Sequence, residues 1–119
     1  LLRERGLMSR LTQFVAFGAY DCSMLRICAE RGTISLDYNW LSPLPFCEDC
    51  RFDMVFQAEG MHHLRTKEDV RTTLDHFTKH LACGGILAMD DSLWKGKGWN
   101  WQSLSADYLK RKGYERIRK

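Results

Sequence analysis

What the sequence lacks narrows the field first. No apolar run in its 119 residues approaches the roughly 18 needed to cross a bilayer as a helix, so a helical membrane segment is excluded. Proline is scarce, with Pro43 and Pro45 the only two, so its constraints fall on one stretch of chain. There is no internal repeat, no low-complexity segment and no recognisable signal peptide. No charge of one sign dominates, and a net charge of +3 is too small to indicate a nucleic-acid partner. The basic residues Lys110, Arg111, Lys112, Arg116, Arg118 and Lys119 read as a solvated tail. A G-x-G-x-x-G is also missing, which argues against a nucleotide-binding oxidoreductase.

The cysteines exclude as much as they suggest. Five of them, Cys22, Cys28, Cys47, Cys50 and Cys83, form an odd set with no secretory context, so reduced thiols and a cytoplasmic location are expected. Cys47 and Cys50 make a C-x-x-C, but no second pair with zinc spacing follows, and His62 and His63 are adjacent rather than three to five residues apart. No metal is therefore expected. The stretch reads as a polar turn that carries two thiols.

What is present is an ordinary globular composition, 45% hydrophobic and 28% charged, in a length that supports one domain over residues 1–119. Its most informative stretch is 52–92. Thr66 followed by Asp69 has the spacing of a capping box, in which each side chain accepts an N–H of the first helical turn. Val70, Leu74, Phe77 and Leu81 then recur at helical spacing, with Lys67, Arg71, Asp75 and Lys79 on the wet side. Gly84 and Gly85 supply a stop, since glycine tolerates the left-handed backbone that ends helices. On either side, 52–56 and 86–89 are short apolar runs, which predicts strands covered on both faces. Two such strands joined by a helix should be parallel.

The remaining elements follow in order. Residues 1–6 look like a last helical turn, 11–17 a strand closed by Gly18, 21–31 a short helix and 33–36 a strand ending at Asp37. Residues 38–51 hold both prolines and form a loop. After Asp91 comes a loop containing Trp94, Trp99 and Trp101, which are expected to fold back over the sheet end or to bind something flat. A helix over 103–112, with Leu104, Tyr108 and Leu109 inward, ends at Gly113, and 114–117 is expected to form a last strand. The alternation means an α/β, Rossmann-like fold with a mostly parallel sheet and flanking helices.

Taken together, several pieces resemble a known family. Leu44-Pro45-Phe46, Phe52-Asp53, His62-His63-Leu64, Leu81 with Gly84-Gly85, and Asp90 are similar in order and spacing to the second half of class I S-adenosylmethionine-dependent methyltransferases, plant members above all. The resemblance covers roughly residues 24–91. It implies an incomplete class I methyltransferase fold, with S-adenosyl-L-methionine as cofactor and a small molecule or a protein as methyl acceptor.

Two registers compete for the family's cofactor residues. If 14–18 were the opening strand, a whole helix and strand would have to fit between Asp37 and Leu44, which is too short. The preferred register makes 11–17 the family's second strand and 33–36 its third. Asp37 then matches the acid near the adenine amino group, and Gln57, Ala58 and Glu59 form a cofactor-binding segment just past a strand end. His62, His63 and Trp94 fall in the substrate loops, and Glu59 or a histidine is a candidate base. In this register the first strand and its glycine-rich loop would precede Leu1. The position of the ribose-binding acid falls near Ala19, which has no carboxylate, and an unbonded ribose diol weakens binding by about 2 to 3 kcal/mol at 1 to 1.5 per lost hydrogen bond. A methyltransferase-like domain that acts through protein contacts instead of catalysis is the alternative reading.

Overall fold

The computed structural model describes residues 15–18, 34–37, 39–58, 60–90 and 99–117. It divides into two compact units, Leu1–Trp40 and Leu41–Lys119. In the first, β1 (Val15–Gly18) and β2 (Ile34–Asp37) form a parallel pair, with Val15 opposite Ile34 and Gly18 opposite Asp37. Both strands fall where β-favouring residues predict them, with Asp37 as the last residue of β2. The turn expected at 1–6 and the helix expected at 21–31 lie outside the described residues.

The second unit has an α/β arrangement. It runs from a loop at 41–51 into β3 (Phe52–Ala58), a short 3₁₀ turn (Met61–His63), α1 (Lys67–Lys79), β4 (Leu81–Asp90) and α2 (Trp101–Arg111). β3 and β4 are parallel neighbours, as the β-α-β reading requires, and α1 packs against both β4 and α2.

The first turn of α1 is closed by the capping box. Thr66 Oγ1 accepts the Asp69 N–H at 3.0 Å, and Asp69 Oδ2 accepts the Thr66 N–H at 3.2 Å. These bonds satisfy two donors that a helix N-terminus leaves open. Val70, Leu74 and Phe77 are then buried along one side, while Lys67, Asp75 and Lys79 stay exposed. With Leu44, Met61, Leu64, Leu81 and Trp101 they make up the core.

The structure corrects the end of this helix. α1 stops at Lys79, with His80 as its C-cap, and Leu81 is already in β4. The decisive contact is non-local: the Phe52 N–H donates to the His80 carbonyl at 2.7 Å, and Phe52 pairs with Leu81. Leu81 keeps the burial that helical spacing predicts, but reaches it as the first residue of a strand. Gly84 and Gly85 consequently serve a different purpose. Between the Phe52–Leu81 and Met54–Ile86 pairs, β3 advances two residues and β4 five, so the glycines lie in an irregular bulge. Gly84 has φ +77°, which L-residues adopt at a cost, and Gly85 has backbone where a Cβ would stand.

The expectation that both faces of these strands are covered also fails among the described residues. Met54, Phe56 and Ile86 are exposed, and their parity puts them on the sheet face opposite Val55, Gln57 and Leu87. An unbroken apolar run marks a strand without telling which of its faces is covered.

α2 begins earlier than its apolar spacing suggests. Asn100 is the N-cap, its Oδ1 accepting from the N–H groups of Gln102 at 2.8 Å and Ser103 at 3.3 Å. Trp101 is therefore the first helical residue and is buried, rather than part of the preceding loop. Leu104, Tyr108 and Leu109 are half-buried, and the deepest positions of α2 are Trp101 and Ser105. Gly113, at φ +93°, ends the helix as expected. Residues 114–117 form no strand, since no described strand pairs with them, and Tyr114 and Ile117 are exposed.

A polar clasp joins the two helices. Asp75 Oδ1 accepts from the Tyr108 hydroxyl at 2.8 Å and from Lys112 Nζ, which also reaches Thr78 Oγ1 at 3.3 Å. Partial burial pulls the Asp75 carboxyl upward, but the hydrogen bonds from Lys112 and Tyr108 outweigh it and hold the group below its ordinary 3.8. Donating to Asp75 raises the Tyr108 phenol above its ordinary 10.0. A depressed acid stabilises the fold above its unfolded pKa and stops doing so as pH falls through its folded pKa; the raised phenol loses its contribution as pH rises through its folded pKa. Asp75 keeps 49% of its side chain exposed, so solvent screening holds the clasp to about 1 kcal/mol. Asp75→Asn is expected to lose that amount near neutral pH. In urea unfolding, the gap between wild type and variant should stay flat across the neutral range, then close at the acid end and again at the alkaline end.

Candidate functional site

Parallel strands gather their carboxyl ends on one side of a sheet, and that is where α/β proteins place ligands. In the second unit this edge is made by the ends of β3 and β4, where Gln57 pairs with Met89 and Ala58 with Asp90. Gln57 is a polar residue at the end of an apolar strand, and it is 3% exposed, on the same sheet face as Val55 and Leu87. Asp90 is exposed at the rim.

The chain then turns sharply. After Gly60 comes the 3₁₀ turn Met61–His63, held by the His63 N–H on the Gly60 carbonyl at 3.1 Å and the Leu64 N–H on the Met61 carbonyl at 3.1 Å. Met61 is fully buried and Leu64 nearly so, and these two apolar residues pin the turn from either side of the histidines. His62 is half-buried and His63 exposed, their rings 4.0 Å apart with planes tilted by 39°. One ring packs while the other meets water, so a general base at this position would be the exposed His63.

Of the residues singled out in the sequence, Gln57, Ala58, His62 and His63 fall on this one edge, with Asp90 beside them. Asp37 closes β2 in the other unit. Glu59 and Trp94 lie outside the described residues. Sequence reasoning passed over Met61, the residue that fixes the histidine turn; its signal was an apolar side chain between a glycine and two histidines. No group of three or more His, Cys, Asp and Glu side chains able to hold a metal occurs among the described residues, and no described helix is long and apolar enough to cross a membrane.

The loop leading into β3 is fixed from below. Phe46 packs edge-on against Phe52 at 5.0 Å and His80 at 5.5 Å between ring centres. His80 is buried, and its Nδ1 lies 2.9 Å from the Cys50 carbonyl. A carbonyl only accepts, so Nδ1 carries the proton in this bond. Lys79 Nζ reaches Glu48 Oε1 at 3.0 Å and, through this hydrogen bond, holds the exposed carboxyl below its ordinary value. Compared with protein-family models, curated proteins and solved structures, the chain matches none.

Proposed function

We propose that this chain is a class I S-adenosylmethionine-dependent methyltransferase, or a piece of one, in which the carboxyl edge of β3 and β4 forms one wall of the cofactor and acceptor site. The observation that carries the reading is the parallel β3–α1–β4 unit, which ends in Gln57, Ala58 and Asp90 and runs on into the His62–His63 turn. Methyl transfer from a sulfonium needs little covalent help from the protein. It needs the acceptor aligned with the methyl group and, for acceptors that bind a proton, a base. In this reading Gln57 and the segment after it line the methionine end, His63 is the base, and Trp94 belongs to the acceptor loop.

Calorimetric titration with S-adenosylmethionine and with its demethylated product tests this directly. Binding of both is expected, weakened by the missing ribose acid at Ala19. Absence of binding at millimolar ligand would overturn the reading for this chain. That same alanine supports a second reading, a methyltransferase-like domain that acts through protein contacts. Methyl transfer by the chain to any acceptor would dispose of that alternative.

A further inference from the structure

The turn at the end of the proline-containing loop, just before β3, carries the two thiols of the C-x-x-C, and its geometry exceeds what the spacing alone implies. The Cys50 N–H donates to the Cys47 carbonyl at 3.0 Å, the bond that closes a four-residue reverse turn. Such turns hold their first and last Cα atoms within about 7 Å, and disulfides span Cα separations of about 4.4 to 6.8 Å. The two ranges overlap, so the closed turn is compatible with the Cα separation that a disulfide needs. Both are free thiols, Cys47 exposed and Cys50 half-buried.

The turn is also held in place. Arg51 Nη1 donates to the carbonyls of Glu48 and Cys50, Lys79 pairs with Glu48, and the buried His80 ring bonds the Cys50 carbonyl. His80 in turn accepts the Phe52 N–H through its own carbonyl, so one residue ties the turn to the start of β3 and to the junction of α1 with β4. A floppy C-x-x-C would have to find its closed geometry. This one is anchored at its inner end, with the outer thiol facing solvent.

We infer that Cys47 and Cys50 form a redox-responsive dithiol that closes to an intramolecular disulfide by exchange with a small-molecule disulfide. The exposed Cys47 reacts first. Its thiolate, the proton having gone to solvent, attacks one sulfur of the disulfide; that S–S bond breaks, one thiolate leaves and takes a proton, and a mixed disulfide remains on Cys47. Cys50 then loses its proton and attacks Cys47 Sγ, expelling the second thiol. Two cysteines are oxidised, and one disulfide is reduced to two thiols. The site lies on the turn at 47–50 and is independent of any cofactor bound at the β3–β4 edge.

Incubation of the whole chain with glutathione disulfide, followed by thiol titration and peptide mapping, tests the assignment. The expected result is a loss of two titratable thiols with a mass decrease of two hydrogens, located to a peptide linking Cys47 to Cys50, and its return on addition of reduced glutathione. Cys50→Ser is expected to stop at the mixed disulfide, keeping glutathione on the outer thiol. A wild-type chain that retains glutathione on Cys47 would overturn the inference, and so would bridging of either cysteine to Cys22, Cys28 or Cys83.

Discussion

Phe77→Ala is expected to destabilise the second unit by about 3 to 5 kcal/mol, the range found when a buried aromatic is truncated and the cavity only partly collapses. Phe77 is 1% exposed, the largest of the fully buried side chains, and sits on α1, which packs on both α2 and β4. Its loss removes buried apolar volume from the helix that packs on both. A small domain has about 5 to 15 kcal/mol in all, so the variant should unfold at markedly lower urea. Lys79→Ala, on the exposed side of the same helix, is the matched control and should shift stability by less than about 0.5 kcal/mol. Equal effects from the two substitutions would mean that the packing of α1 is not what holds the unit together.

Gly85→Ala is expected to cost about 1 to 3 kcal/mol, for a steric reason unrelated to helix termination. A Cβ there would lie 2.8 Å from the Ala82 carbonyl oxygen, 2.9 Å from Leu81 Cδ1 and 3.1 Å from the Asp53 carbonyl oxygen. Two of these three neighbours are backbone: relief from Ala82 requires the bulge within β4 to change shape, and relief from Asp53 requires β4 to move off β3. Gly84→Ala meets no atom within 4 Å and is penalised only by its φ of +77°, about 1 to 2 kcal/mol for the left-handed region. The two glycines thus separate in kind. For Gly85→Ala, amide exchange should quicken along β3 and β4, whereas Gly84→Ala should leave the pairing protected. Were the pair a simple helix stop in open solvent, Gly85→Ala would be close to neutral.

α1 was legible because two independent signals agreed on it: the Thr66–Asp69 cap and the Val70, Leu74, Phe77 spacing both depend only on near neighbours in the chain. Its end was not legible. Leu81 follows Phe77 at a helical interval and also opens β4, and the bond from Phe52 to His80 that decides between them links distant parts of the sequence. The same limit explains the exposed Met54 and Phe56, because β3 has apolar residues at both parities and its sequence does not say which side α1 will take. Trp101 was assigned to a loop because glycines precede it, while Asn100, a good N-cap, carried the opposite signal. At the site, the apolar runs located both strands but stopped two residues short of the end of β3 at Ala58 and one short of the end of β4 at Asp90, and the 3₁₀ turn that carries the histidines read only as loop. The anchoring of that turn by Met61 depends on what closes over it, and local sequence does not encode that.

The capping box has a consequence for how the chain reaches its native state. A parallel pair cannot be joined by a tight turn, so β3 and β4 find each other only after the intervening chain has doubled back, and such non-local pairing is slow. The one described α-helix between them, α1, can form from its own neighbours, and the Thr66–Asp69 exchange lowers the cost of its first turn. Helix is therefore expected to precede sheet. A Thr66→Ala chain, about 1 kcal/mol less stable for want of its cap, should show the loss as slower refolding with an unchanged unfolding rate. A cap that looks like a static detail of one helix end then sets the pace at which the whole β-α-β unit assembles.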